Sequence, residues 1–260
     1  MDRNSTTPIQ RLSPTSTFKQ YQLLDNDVRE HICCNTALLK HLDGYEDKIE
    51  KIRLNSALEM LSDTERAISE FGDNRKIGYL ELYGFFNAIQ MHQEALFTIK
   101  RVIFIENKSE PYLPIPATKL KNLKAAFFNL SPEVDKLRTL RNNVAGHPND
   151  SGGACNFVNR YSINSAGFEL ETFKKTASAE SSEALPISAP YSSETTKYQF
   201  QDLKCQHWAS ALILLNDIHD CILSKFGDER NIIRVKDGYH HERKMDESGL
   251  EYFTITHKPN

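Results

Sequence analysis

The sequence contains few cysteines and no long apolar run, and both features indicate the cellular compartment of the protein. Its five cysteines form no Cys-x-x-Cys pair, and Cys33 and Cys34 are adjacent, which disfavours a disulfide between them. Scattered thiols of this kind are typical of the reducing cytosol. No stretch of about 18 apolar residues is present to cross a membrane, and the Ser-, Thr- and Pro-rich residues 1–19 lack the apolar segment of a signal peptide. The sequence therefore predicts a cytoplasmic protein without a membrane segment.

The common motifs of nucleotide, metal and acyl-transfer sites are absent as well. The chain has no P-loop, no Gly-x-Gly-x-x-Gly, no His-Glu-x-x-His and no Gly-x-Ser-x-Gly sequence. His207, His219 and the adjacent His240 and His241 have no companion residues at a spacing that suits zinc. We therefore expect no metal site and no cofactor. The net charge of −3 also argues against a surface that coats nucleic acid generally.

Apolar residues recur at helical spacing through most of the chain, which predicts a mainly α-helical bundle. The predicted helices cover approximately residues 25–43, 46–71, 77–105, 118–129, 131–145 and 198–226. A small β-hairpin is predicted near residues 155–173, around a turn at Asn164–Gly167. Because a lone hairpin is only marginally stable in water, we expect it to pack on the bundle and cover the preceding helix.

The composition divides the chain into three parts. Residues 1–20 are polar and are predicted to be a disordered lead. Residues 21–226 form one helical domain, within which the Ser-, Thr- and Ala-rich residues 174–196 are predicted to be a flexible linker. Residues 227–260 are a highly charged tail that is either loosely ordered or ends in an edge strand with alternating Tyr and Thr.

The predicted helix 77–105 is apolar around most of its circumference. Its polar residues form one narrow stripe, which consists of Asn87, Gln90, Glu94, Thr98 and Arg101. Such a helix lies at the centre of a bundle or between two subunits. Gly84 weakens the helix, and close approach of a neighbouring helix is expected to compensate. His92 and Glu94 are assigned to the polar stripe rather than to a catalytic group, because buried or half-buried polar groups usually serve hydrogen bonding.

The segment that ends at Pro148 has the signals of a short helix. Ser131 can accept a hydrogen bond from a free backbone N–H, Pro132 suits the first helical position, and Glu133 suits the positive end of the helix dipole. Gly146 can adopt the left-handed conformation that ends a helix, and Pro148 prevents its continuation.

This helix carries the residues that suit phosphodiester chemistry: Arg141, Asn142 and His147. In an uninterrupted helix Arg141 and His147 would diverge, whereas a helix end before His147 allows its side chain to lie beside the arginine. A guanidinium binds two phosphate oxygens, and an imidazole transfers a proton near neutral pH. The alternative is a simple helix C-cap, in which both side chains bond the last carbonyl groups.

The surroundings of these residues are basic. Residues 117–147 carry six basic side chains against two acidic ones, a local net charge of +4. Lys136 and Arg138 belong to the same predicted helix and are candidate phosphate ligands. A solvated helix face would account for the charge equally well if the Arg–His motif were absent.

The sequence Arg141-Asn142-x-x-x-x-His147 matches the R-x(4–6)-H signature of the HEPN superfamily, including the polar residue after the arginine. Residues 79–95 resemble the long helix that precedes this motif in a group of bacterial HEPN-like proteins. The segment from Arg138 to Pro148, followed by a short hairpin, resembles the continuation of the same group. The resemblance covers residues 75–226 and implies an all-helical bundle.

The resemblance also implies a function. Many HEPN proteins are metal-independent endoribonucleases of toxin–antitoxin and related systems, in which the Arg–His motifs of two protomers meet at a dimer interface. Transferred to this chain, it makes Arg141, Asn142 and His147 catalytic, with a homodimer, an RNA substrate and a cognate antitoxin as expected partners. The alternative is a non-catalytic HEPN-like module that binds a nucleotide, an RNA or a protein.

Overall fold

The computed structural model describes residues 14–43, 49–72, 77–104, 117–145, 154–175, 191–228, 239–245 and 251–257. Its helices are α1 (Pro14–Cys34), α2 (Thr36–Asp43), α3 (Ile49–Ser69), α4 (Tyr79–Phe104), α5 (Ala117–Phe128), α6 (Pro132–Ala145) and α7 (Phe200–Phe226). Its strands are β1 (Ala154–Val158), β2 (Gly167–Lys175), β3 (Tyr191–Gln199), β4 (Tyr239–Met245) and β5 (Glu251–His257). The predicted fold class, a mainly helical bundle with a small antiparallel β element after α6, is confirmed.

Helix α1 begins earlier than predicted. Residues 14–20, which the composition assigned to a disordered lead, are helical, and residues 1–13 lie outside the described part of the chain. The reason is packing on α7: the Phe18 ring lies 4.6 Å from that of Trp208, and Tyr21 is fully buried. The polar composition of the segment does not predict this helix, because the two aromatic side chains Phe18 and Tyr21 supply the apolar surface that packs on α7.

The single helix predicted over residues 25–43 is two helices separated at Asn35. The Asn35 side chain accepts a hydrogen bond from the backbone N–H of Leu38 at 3.0 Å and so caps the start of α2. Its amide donates to the backbone oxygen of Gly227 at 2.9 Å. This contact ties the junction of α1 and α2 to the end of α7.

Helix α4 lies at the centre of the bundle and contacts α3, α5, α6 and α7. Most of its apolar residues are buried within the one chain, including Leu82, Phe85, Phe86, Ile89, Leu96, Ile99, Val102 and Ile103. The interpretation of this helix as the core of a bundle is therefore confirmed. The expected close approach to Gly84 is wrong for a neighbouring helix of the same chain, because in the described part of the chain no heavy atom lies within 4 Å of a Cβ placed there.

The predicted hairpin is part of a three-stranded antiparallel sheet with the order β1-β2-β3. Strand β1 contacts α6, as expected for a hairpin that covers this helix. The turn before β2 is held by the Asn164 side chain, which accepts hydrogen bonds from the backbone N–H groups of Ala166 at 2.8 Å and Gly167 at 3.2 Å. Gly167 is required there because a Cβ would lie 1.9 Å from the Tyr198 carbonyl oxygen.

The linker predicted over residues 174–196 is wrong at both ends, since 174–175 belong to β2 and 191–196 to β3. Residues 192–197 are exposed along β3 and show no apolar alternation, so only their backbone pairing with β2 makes them a strand. Residues 176–190 lie outside the described part of the chain.

The tail contains an antiparallel hairpin in which β4 pairs with β5, so the strand expected at Tyr252–Thr256 is present. Among the described residues, no helix is long and apolar enough to span a membrane.

Candidate functional site

A small cleft of about 60 Å³ lies between α4 and α6. Helix α4 lines it with Phe86, Ile89, Gln90 and Gln93, and α6 lines it with Leu137, Arg138, Arg141 and Asn142. The cleft therefore has an apolar floor with amide and guanidinium groups around it. Three of the predicted site residues, Arg138, Arg141 and Asn142, meet here.

The helical period of α6 explains why these polar residues lie at its edge. The buried face of α6 consists of Val134, Leu137, Leu140 and Val144. Positions 138, 141 and 142 follow this face on one side, so their side chains lie next to α4 rather than inside the core. Packing of the apolar face thus fixes the position of the guanidinium groups.

Arg141 is half-buried, and its hydrogen bonding is incomplete. Its Nη1 donates to the Asn142 side-chain oxygen at 3.0 Å. Its Nε is buried and has no hydrogen-bond acceptor in the described part of the chain. The same holds for the side-chain Nε2 of Gln93, a residue that is only 2% exposed. Two N–H donors without acceptors therefore line one cleft.

The other two predicted phosphate ligands differ in their surroundings. The Arg138 guanidinium lies 5.3 Å from the ring of Phe128 and 3.9 Å from the Asp135 carboxylate, at the edge of the cleft. Lys136 does not line the cleft, and its ammonium group donates to Glu133 at 2.6 Å. The structure therefore groups Arg138 with Arg141 and separates Lys136 from both.

The ends of α6 agree with the sequence signals in two respects and differ in one. The helix begins at Pro132 and ends at Ala145, one residue before Gly146. The predicted capping bond of Ser131 is wrong, because its buried hydroxyl has no hydrogen-bond partner in the described part of the chain. His147, the proposed proton-transfer residue, lies outside the described residues.

His92 and Glu94 lie in different surroundings, so their common assignment to the polar stripe is half wrong. Glu94 is on the stripe and accepts a hydrogen bond from Lys124 at 2.6 Å. His92 is fully buried in the core, where its Nε2 lies 2.9 Å from the Tyr21 hydroxyl and its ring lies 4.9 Å from that of His207.

Burial determines the protonation state of this histidine pair. It lowers the pKa of His92 well below its ordinary value, and the neighbouring His207 lowers it further. Burial also lowers the pKa of His207 to about 3. Both imidazoles are therefore neutral near pH 7 and form part of the core rather than of the cleft.

The sequence pattern did not single out Gln93, although it is the most buried polar residue of the cleft. It follows the core residue His92 directly, so it falls outside the stripe that Gln90 and Glu94 define. A signal was nevertheless present, because Phe86, Ile89, Gln90 and Gln93 share one helix face at spacings of three and four residues.

No family model, no curated protein and no solved structure matches this chain.

Proposed function

We propose that this chain is a HEPN-like endoribonuclease that binds an RNA phosphate in the cleft between α4 and α6. The observation that carries the proposal is the pair of buried donors, Arg141 Nε and Gln93 Nε2, which line the same cleft and have no acceptor among the described residues. Each buried polar group left without a partner costs about 1–3 kcal/mol. An anion with several acceptor oxygens would satisfy both donors at once.

The nature of the lining favours a phosphate over other anions. A guanidinium presents donors in a planar fork that matches two phosphate oxygens. Asn142 is already bonded to Arg141 and holds one edge of this fork in place. Arg138 adds a second positive charge at the rim, where its guanidinium packs on Phe128.

The HEPN resemblance supplies the reaction. The 2′-hydroxyl of RNA attacks the adjacent phosphorus, the bond to the 5′-oxygen breaks, and a 2′,3′-cyclic phosphate is formed. His147 takes the proton from the 2′-hydroxyl while water protonates the departing 5′-oxygen, or water takes the first proton and His147 protonates the 5′-oxygen. Arg141 stabilises the additional negative charge of the transition state. In this scheme the substrate is single-stranded, because its 2′-hydroxyl must reach in-line geometry.

In the same proposal the protein acts as a homodimer in which two motifs face each other. Helix α4 retains one exposed stripe, formed by Leu80, Gly84, Asn87 and Met91 at spacings of four, three and four residues. Leu80 is 83% exposed and Met91 45% exposed. The two apolar side chains and the small Gly84 between them form a face on which a second α4 could pack closely.

RNA binding is tested with a fluorescently labelled single-stranded RNA and measured as fluorescence anisotropy. We expect Arg141→Ala to weaken binding more than about tenfold, since a charge-assisted hydrogen bond contributes about 1.5–3 kcal/mol. Arg66→Ala is the matched control, because Arg66 is an exposed arginine of α3 that does not line the cleft. Equal affinities of the wild type and Arg141→Ala would overturn the proposed cleft.

Cleavage is tested with the same RNA in buffer with EDTA. We expect products with 2′,3′-cyclic phosphate ends, and we expect His147→Ala to abolish cleavage while RNA binding remains. Cleavage that persists in His147→Ala would refute the assignment of this histidine.

A non-catalytic HEPN-like module is the second candidate, and the Arg141–Asn142 hydrogen bond favours it. A guanidinium that its neighbour holds in one orientation is suited to binding an anion without transforming it. Wild-type protein that binds RNA or a nucleotide through Arg141 but leaves RNA intact would establish this alternative. Co-purification with a cognate antitoxin would instead support the toxin role.

A further inference from the structure

We propose that Asp27, His31, His219 and Asp228 form a binding site for a divalent transition metal ion, with zinc as the best fit. One ligand atom each of Asp27, His31 and His219 lies within 4.8 Å of the others. His219 Nε2 is 2.9 Å from an Asp27 carboxylate oxygen, and His31 Nε2 is 3.5 Å from an Asp228 carboxylate oxygen. Nothing in the order of these residues along the chain indicates the site, because about 190 residues separate its two halves.

The local fold brings the four side chains together. Asp27 and His31 are four residues apart on α1 and therefore share one helix face. Helix α7 packs along α1 and places the His219 ring 5.3 Å from the His31 ring. These three side chains belong to two helices with a common interface, so their separation is set by helix packing.

The fourth residue is positioned by the end of α7. Gly227 has a φ of 72°, and its N–H donates to the Leu223 carbonyl at 2.9 Å, which ends the helix. Its own carbonyl accepts the hydrogen bond from Asn35 at 2.9 Å. This double attachment holds the following residue, Asp228, beside His31.

The ligand types and distances suit zinc. Zinc takes imidazole nitrogens and carboxylate oxygens at about 2.0–2.2 Å in tetrahedral geometry, so its ligand atoms lie roughly 3.3–3.5 Å from each other. The observed distance of 3.5 Å lies at the upper end of this range, and the observed distance of 2.9 Å is shorter than it. Small rotations of the side chains would therefore be sufficient. Calcium and magnesium prefer ligand sets made of oxygen, which two imidazoles do not provide.

Charge and burial favour the same conclusion. A divalent cation carries two positive charges, which balance the two carboxylates of the site. The site is closed on one side, where the His31 side chain is fully buried, and open on the other, where Asp228 is 70% exposed. An ion can enter through the open side and is shielded from solvent on the other.

The site lies apart from the cleft between α4 and α6. Gln93 of the cleft adjoins His92, which contacts His207 of α7. His219 follows twelve residues later on the same helix, about 18 Å along its axis. The metal would therefore connect α1 with the end of α7, and its presence does not depend on the proposed RNA cleavage.

The test uses the full chain without a histidine tag, treated with EDTA and dialysed. Cobalt(II) and zinc are titrated by isothermal titration calorimetry, and the cobalt complex is measured by visible absorption. We expect one ion per chain, the strong absorption bands of tetrahedral cobalt, and a higher melting temperature with zinc. His219→Gln preserves a donor toward Asp27 but removes a ligand, so it should weaken binding more than about tenfold.

Two controls separate the site from other acidic and histidine side chains. Asp27→Asn should weaken binding as His219→Gln does, whereas Asp220→Asn, an exposed neighbour on α7, should leave the affinity unchanged. The double substitution His240→Gln and His241→Gln tests the histidines of the tail and should also have no effect. Wild-type protein without tetrahedral cobalt bands, or binding that is lost only when the tail histidines are replaced, would overturn the proposal.

Discussion

At the scale of single residues, Gly84 shows that the effect of a residue on stability depends on what packs against it. The sequence explained this glycine by close approach of another helix, yet in the described part of the chain the space above it is open. A glycine inside a helix without such a contact only increases the entropy lost on folding. Its presence on the exposed stripe of α4 is then explained by the proposed dimer rather than by the bundle.

We predict that Gly84→Ala raises the free energy of unfolding of the dilute protein by roughly 0.5–1 kcal/mol. The measurement is urea denaturation followed by circular dichroism. Gly227→Ala is the opposite control, because its φ of 72° is unfavourable for alanine and the substitution should destabilise. If Gly84→Ala destabilised the dilute protein instead, a helix of the same chain would have to cover this position.

The buried pair His92 and His207 predicts a pH dependence of stability. Both pKa values lie below the ordinary value of 6.5, so the unfolded chain binds these protons more readily than the folded chain. The contribution of the two neutral imidazoles to the free energy of unfolding is fully present above pH 6.5. It decreases as the pH falls toward 3, at up to about 1.4 kcal/mol per pH unit for each histidine. Burial raises the pKa of Asp25 and Glu65, which lie near Tyr21, and this acts in the opposite direction.

The histidine contribution is therefore measured between pH 7.5 and 5.5 by comparison with a variant that retains Asp25 and Glu65, so that the opposite contribution of these carboxylates is present in both proteins. We expect the free energy of unfolding in urea to decrease across this interval. His207→Gln, which cannot be protonated, should reduce the slope. A wild-type stability that does not change between these two pH values would contradict the assignment of two neutral core histidines.

At the scale of elements, the two helix starts at Asn35 and Ser131 form a matched pair. Asn35 caps α2 through the N–H of Leu38, whereas the buried hydroxyl of Ser131 makes no such bond to α6 within the described part of the chain. Both residues are common N-caps, so their sequences alone do not distinguish them.

We predict that Ser131→Ala changes the free energy of unfolding by less than about 0.5 kcal/mol or stabilises the protein, because no hydrogen bond is lost. Asn35→Ala should destabilise it by roughly 0.5–2 kcal/mol, as expected for a lost cap. Thermal and urea denaturation of both variants provide the comparison. If Ser131→Ala lowered the free energy of unfolding as much as Asn35→Ala does, Ser131 would have to cap α6 as the sequence suggested.

At the scale of the whole molecule, assembly is the property on which the proposed active site depends. We predict a homodimer, measured as twice the mass of one chain by light scattering at micromolar concentration. Leu80→Glu should convert it to a monomer, because a charge would be buried in the α4 interface. Leu23→Glu is the control, since Leu23 is an exposed leucine of α1. A wild type that is monomeric at these concentrations would contradict an active site shared between two protomers.

Helices with a clear apolar face could be predicted from the sequence almost to the residue. Helix α7 was expected at 198–226 and is observed at Phe200–Phe226, with Gly227 at its end. The predictions failed where a remote contact decides the structure. Helix α1 extends back to Pro14 because Phe18 meets Trp208, and β3 is a strand because β2 offers it hydrogen bonds.

The candidate site shows the same division. The sequence by itself determined that α6 carries Arg138, Arg141 and Asn142 beside an apolar face, because helical periodicity is a local property of the chain. Only the tertiary structure decided that Gln93 lines the same cleft as Arg141 and that His31 of α1 lies beside His219 of α7. Such groups depend on how helices pack against each other, and this is determined by the shape of all their buried side chains together.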